Sequence, residues 1–181
     1  MEATVTDELD WDHAVTNIPE AGLQVERAAS PEEREGIARA LDLIACLSLT
    51  ANYALVPRSG GHFRLTGTLK AQIEQSCVVT LEPLTNEIAE SFSVDYWPET
   101  EIPSPAGGVV DVHDEVADLE PIVTGRINVG RVIFECLAGA IDLFPRKPGV
   151  TFEAPVAPSE NGASGKSDGP FAALARIKSK P

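Results

Sequence analysis

The sequence predicts an α+β fold: a mainly antiparallel, curled and partly barrel-like β-sheet with two short helices, followed by a disordered C-terminal tail. Two observations support this fold class. Several segments alternate apolar and polar residues with the period of two that a half-buried strand requires, and short turn signals separate them. Two other segments carry a helix-start signal followed by apolar residues at helical spacing.

The first predicted strand and helix lie close together in the sequence. Residues 22–28 alternate as a strand does. Ser30 is followed by a proline and two glutamates, the second of which is Glu33, as expected of a capping box at a helix start. The helix is therefore predicted to begin at Pro31 and to end at about Leu41.

Three longer segments predict the middle of the sheet. Residues 43–56 are apolar and β-like, and the glycine pair 60–61 marks a turn after them. The next strand is predicted over residues 63–80. A turn at Pro83 then leads into residues 87–97, which alternate again. Because these connections are short, we expect neighbouring strands to be antiparallel.

The second predicted helix is capped by Asn128 and runs from Val129 to about Gly139. Its apolar residues recur at helical spacing and form one stripe. They are Val129, Val132, Ile133, Cys136 and Leu137.

The domain boundaries follow from composition. Residues 1–12 are polar and acidic and predict a flexible N-terminus, apart from Leu9 and Trp11. Residues 13–150 form the predicted domain. Residues 151–181 are rich in Pro, Ala, Ser and Gly and predict a disordered tail with a short apolar and basic end.

The composition indicates a soluble protein of a reducing compartment. Of the 181 residues, 43% are hydrophobic, so a sizeable core can form. The three cysteines are far apart and do not indicate a disulfide framework. The N-terminus has no signal-peptide pattern, and no apolar run is long enough to span a bilayer. We therefore expect a cytoplasmic protein without membrane contact.

The formal net charge of −14 limits the partners. Residues 101–120 carry six acidic residues and no basic one, whereas residues 146–181 carry six basic residues against three acidic ones. Because an acidic surface repels phosphate, broad binding to RNA is disfavoured and no DNA partner is expected. A basic protein partner suits this charge, although acidic residues also serve solubility alone.

The sequence offers no constellation for catalysis, and no cofactor is expected. No Ser, His and Asp arrangement carries a nucleophile signature. Cys77 has no neighbouring histidine or cation to lower its pKa, so a reactive thiolate is not predicted. A metal site from His113 with Asp111, Asp114 and Glu115 is conceivable, but a solvated acidic loop is the favoured interpretation, and no metal is expected.

The most informative segment runs from Gly67 to Pro83. It alternates at first and then becomes apolar around Cys77, before Leu81, Glu82 and Pro83 end it. A second segment, residues 118–146, combines acidic residues, a short helix and a proline-ended exit.

Together these two segments resemble the YceD family, the large ribosomal RNA subunit accumulation proteins, over roughly residues 15–150. The resemblance implies that Gly67, Cys77, Leu81, Glu82 and Pro83 belong to the family motif. It also implies a non-enzymatic role in accumulation of the large-subunit ribosomal RNA and in assembly of the large subunit. It implies no catalytic residues.

One position departs from the family pattern. Many members have a Cys-x-x-Cys pair before Leu-Glu-Pro, whereas this chain has Cys77 and Thr80. A single thiol does not complete such a site, so zinc is not expected there. A structural role for the segment is the favoured interpretation.

The expected partner is a basic ribosomal protein or a large-subunit precursor particle. Its expected binding surface is acidic. The residues that form it are Asp111, Asp114, Glu115, Asp118 and Glu120. Direct RNA contact through the basic C-terminal end stays open, as does the alternative of an enzyme or metal-binding domain that acts on RNA.

Overall fold

The computed structural model describes residues 9–102 and 118–152. Most of the predicted tail, residues 153–181, and residues 1–8 of the predicted flexible N-terminus lie outside this part. The elements are β1 (Asp12–Ala14), β2 (Leu23–Ala28), α1 (Pro31–Ala40), β3 (Ala45–Pro57), β4 (Phe63–Ser76), β5 (Pro83–Pro98), β6 (Leu119–Ile122), β7 (Arg126–Asn128) and α2 (Val129–Ala140).

Five strands of the described chain form one sheet in the order β2-β3-β4-β5-β6, and β1 pairs with β7 in a separate two-stranded sheet. All pairs are antiparallel except β5 with β6, which is parallel. The α+β class with two helices is therefore confirmed. The barrel-like part of the prediction is not supported, because β2 and β6 do not pair with each other and the sheet stays open.

The register places the apolar residues of neighbouring strands on one face. In β4, Leu65 and Leu69 are fully buried and lie opposite Leu55 and Ala51 of β3. Val94 of β5 lies on the other side of Leu65 and is buried too. Residues of both helices belong to the same core cluster, so the fold has a one-sided sheet covered by helices.

Both helices begin where local chemistry predicts. The Ser30 hydroxyl accepts a hydrogen bond from the Glu33 N–H at 3.2 Å, and the Glu33 carboxylate accepts one from the Ser30 N–H at 2.8 Å. At α2, the Asn128 side-chain oxygen accepts from the Arg131 N–H at 2.8 Å. These side chains satisfy N–H groups that have no partner inside the helix.

Leu9 and Trp11, the two exceptions within the predicted flexible N-terminus, are both buried. The Trp11 indole N–H donates a hydrogen bond to Glu33 of α1 at 2.8 Å. The Arg27 guanidinium lies 4.9 Å from the centre of the indole ring, within cation–π range. Residues 9–14 thus connect β2, α1 and the β1–β7 pair.

The predicted strand over residues 63–80 is too long, because β4 ends at Ser76. The Cys77 N–H donates to the Glu82 carbonyl at 2.9 Å, and the Leu81 N–H donates to the Cys77 carbonyl at 2.8 Å. These bonds close a turn over residues 77–82, here called the Cys77 turn. Pro83 is the first residue of β5, a strand position that tolerates proline.

Gly67 lies at the centre of β4, where the neighbouring strands leave no room for a side chain. A Cβ atom there would lie 2.6 Å from the Asn52 carbonyl oxygen and 2.7 Å from atoms of Phe92 and Tyr53. Because a Cβ atom does not fit at such distances, glycine is what allows the Phe92 ring to pack across the strand.

We predict that Gly67→Ala lowers the free energy of unfolding by about 1–3 kcal/mol, since the new methyl group forces strand or ring shifts. The matched control is Gly139→Ala in α2, where an added Cβ meets nothing within 4 Å. That change should raise the free energy of unfolding by about 0.5–1 kcal/mol. Urea denaturation measures both, and equal stability of G67A and wild type would contradict the packing argument.

Candidate functional site

The structure describes two of the five predicted acidic site residues, Asp118 and Glu120. Both lie at β6, Asp118 just before the strand and Glu120 within it. Asp111, Asp114 and Glu115 lie outside the described residues, so their placement stays a prediction. Of the family-motif residues, Gly67 lies in β4, and Cys77, Leu81, Glu82 and Pro83 lie in or directly after the Cys77 turn.

Asp118 and Glu120 open onto a groove between β5, β6 and α2, here called the acidic groove. Its carboxylates come from these two residues and from Glu135 of α2. Its apolar lining includes Phe92 of β5 and Val132 of α2, which are more buried than Asp118 and Glu135. The groove therefore has an apolar floor and an acidic rim.

Backbone pairing sets the position of the β6 carboxylates. The Asp95 N–H of β5 donates to the Asp118 carbonyl at 2.9 Å, and Glu120 lies opposite Tyr96 in the parallel register. Tyr96 is buried, and its hydroxyl donates to the Asn128 carbonyl at 2.6 Å. Strand β5 thus holds β6 in place through Asp95. It also holds Asn128, the residue before α2, through Tyr96.

One arginine pairs with two of the three carboxylates. Arg131 lies 3.5 Å from Glu120 and donates to Glu135 at 2.8 Å. Burial raises the pKa of Glu120, and the nearby charges of Glu135 and Asp118 raise it further against the opposing effect of Arg131. The groove therefore carries more negative charge than its own cation balances, which favours a positively charged ligand.

The sequence alone did not single out Glu135 or Arg131 as site residues. Their separation of four positions on a helix is a signal for a local ion pair. However, no local pattern indicates that Arg131 also reaches Glu120, because that contact depends on how β6 docks beside α2.

The Cys77 turn holds a second chemical feature. Cys77 is fully buried, and the Lys147 N–H donates to its sulfur at 3.5 Å. The Thr80 hydroxyl and the N–H groups of Lys147, Thr80 and Val79 lower the pKa of Cys77 to about 6, because they stabilise the thiolate. The sequence has no histidine or cation beside Cys77, and hydrogen bonds formed in the folded turn lower this pKa in their place.

Thr80 is the position where many family members have a second cysteine. Here its hydroxyl makes the largest contribution to the lowered pKa of Cys77. Within residues 9–102 and 118–152, no group of three or more His, Cys, Asp or Glu side chains is placed to hold a metal ion. None of the helices in these two ranges is long and apolar enough to cross a membrane.

The fold and the two features define a small α+β domain with an acidic groove and a motif-bearing turn at one end of its sheet. Comparison with known families shows to which family this domain belongs. Residues 65–178 match the family model described as "Large ribosomal RNA subunit accumulation protein YceD". The match covers more than half of the chain, so the chain belongs to this family. No curated protein and no solved structure matches it.

We predict opposite pKa shifts for two glutamates in one NMR titration of the side-chain carboxyl groups. Glu120 should titrate above the ordinary value of 4.5 because it is partly buried among carboxylates. Glu82 should titrate below 4.5 because Lys147 lies 2.7 Å from it. Lys147→Met should raise the pKa of Glu82 towards its ordinary value and leave that of Glu120 unchanged.

The same shift makes stability depend on pH with a defined sign. Because the folded pKa of Glu120 is raised, the folded state disfavours its ionised form. Wild type should therefore lose stability relative to Glu120→Gln as pH rises through 4.5 and the raised pKa. A stability difference that stays constant across this window would contradict the assignment.

We also predict that Thr80→Val raises the pKa of Cys77 from about 6 towards the ordinary thiol value, because it removes the hydroxyl donor. Thiolate absorbance against pH measures this change. Burial raises the pKa of Cys46 and Cys136, so these thiols titrate at higher pH and do not interfere. Thr85→Val, at an exposed position of β5, is the matched control and should change nothing.

Proposed function

We propose that this protein is a non-enzymatic assembly factor that supports accumulation of the large-subunit ribosomal RNA in the cytoplasm. In this proposal it binds a basic segment of a ribosomal protein, free or on a large-subunit precursor particle, in the acidic groove. Membership in the YceD family is the observation that supports a role in accumulation of the large-subunit ribosomal RNA. The groove supports the mode of binding.

The chemistry of the groove fits a lysine- or arginine-rich segment. Such side chains pack their methylene groups on apolar surface and keep the charged end in water. Val132 and Phe92 offer the apolar surface, and Asp118, Glu120 and Glu135 offer the carboxylates. RNA phosphate fits this groove poorly, because the same carboxylates repel it.

The overall charge of the chain supports the same partner. A net charge of −14 attracts basic proteins over a distance and speeds their encounter at low salt. The proposal therefore predicts an interaction that weakens as salt screens these charges. No catalytic group is needed for this role.

We predict that the triple variant D118N/E120Q/E135Q binds purified large-subunit precursor particles about tenfold more weakly than wild type at low salt, since the rim loses its charge. The matched control E20Q/E26Q/E35Q removes three exposed carboxylates outside the groove and should bind nearly as wild type. Cosedimentation through a sucrose gradient measures both variants.

Two results would contradict the proposal at different levels. If wild type does not comigrate with large-subunit precursors, and deletion leaves large-subunit RNA levels unchanged, the proposed process is wrong. If wild type binds but both triple variants weaken equally, general charge rather than the groove explains binding.

A further inference from the structure

A cluster of exposed apolar side chains lies where the Cys77 turn meets the segment after α2. Val78 and Leu81 of the turn are 43% and 77% exposed. Leu143 and Phe144 of the following segment are 77% and 70% exposed. These four residues are here called the turn patch. Folding gains little from Leu81, Leu143 and Phe144, because each leaves at least 70% of its surface exposed.

Hydrogen bonds hold the two parts of the turn patch side by side. The Val78 N–H donates to the Pro145 carbonyl at 2.9 Å. Lys147 contributes twice: its N–H donates to the Cys77 sulfur at 3.5 Å, and its ammonium group donates to Glu82 at 2.7 Å. The apolar side chains therefore project from a fixed backbone, which lowers the entropy cost of binding through them.

Leu81 adds an independent observation. Its backbone has φ of 60°, in the left-handed region that glycine and asparagine adopt most readily. A leucine there costs roughly 1–2 kcal/mol. Burial does not offset this cost, because the side chain is largely exposed. The strained backbone and the exposed side chain together make Leu81 a candidate for contact with another molecule.

The patch has the size and charge of a docking site for a protein segment. Its side chains expose on the order of 400 Å², within the range of the largest, often functional, patches of soluble proteins. This is below the roughly 800 Å² per partner of a stable dimer interface, so a second copy of the chain fits less well.

The charges and side chains around the patch also indicate which class of molecule binds there. The adjacent Glu82 is paired with Lys147, and Asp142 and Arg146, which flank Leu143–Pro145, carry opposite charges, so the patch offers no excess charge to a basic peptide. Its single aromatic residue, Phe144, provides little surface for base stacking by single-stranded RNA. An apolar face of a protein helix or loop is the occupant that complements such a surface.

We propose that the turn patch docks an apolar face of a protein component of the large-subunit precursor particle, at a site separate from the acidic groove. This inference rests on the proposed function. It assigns Leu81 and Phe144 as the main contacts and Lys147 as the residue that holds the two segments together. Because the contact is apolar, its strength should persist at high salt, unlike that of the groove.

The test uses full-length protein and purified large-subunit precursor particles, with binding measured by cosedimentation at low and high salt. The double variant L81N/F144S should bind at least tenfold more weakly than wild type at high salt. Its thermal unfolding midpoint should not fall because of L81N, since asparagine suits the left-handed conformation. The matched control V123T changes an apolar residue that is 49% exposed in the β6–β7 turn and should bind as wild type.

A photocrosslinking residue placed at position 81 identifies the contact. Crosslinking to a protein of the precursor particle supports the inference. The inference is overturned if the residue crosslinks to RNA or to a second copy of the chain. It is also overturned if the particle is bound and no crosslink forms. Unchanged binding of L81N/F144S overturns the inference alone, whereas failure of wild type to bind the particle overturns the proposed function as well.

Discussion

The fold depends on the burial of one face of β4. This strand pairs with β5 along its whole length and with β3 along most of it, and its alternate residues from Phe63 to Ile73 face the core. The opposite face of the same strand carries polar side chains and stays in contact with water. Because only one face is apolar, both helices pack in the same core cluster, and the sheet does not need a second layer on its other side.

The same constraint connects the fold with the acidic groove. Phe92 packs across Gly67 at the centre of β4 and also lines the groove. The register that positions β6 begins three residues further along β5, where Asp95 is bonded to Asp118 and Tyr96 lies opposite Glu120. A change in the β4–β5 packing would therefore move the groove, so Gly67 supports the site without contacting a ligand.

The two candidate surfaces differ in chemistry. The groove combines three carboxylates with one arginine and attracts cationic groups by a force that salt weakens. The turn patch has its adjacent charge neutralised by the pair of Glu82 and Lys147 and offers exposed leucine and phenylalanine side chains. In the proposed function, the two surfaces contact different parts of one precursor particle.

The sequence by itself determined the α+β class, the starts of both helices, most strand segments and the family, because alternation, capping and motif residues are local properties. It placed the end of β4 four residues too late, since β-branched residues favour a strand until Cys77 bonds to Glu82 and forms a turn.

Two predicted site residues, Asp118 and Glu120, line the groove, but Glu135 and Arg131 join them only after α2 packs beside β6. The lowered pKa of Cys77 likewise depends on the folded turn, which brings the Thr80 hydroxyl to the thiol, and on an N–H group of Lys147, 70 residues away in sequence. Such properties arise only from tertiary structure, because they depend on distances between segments that no local pattern encodes.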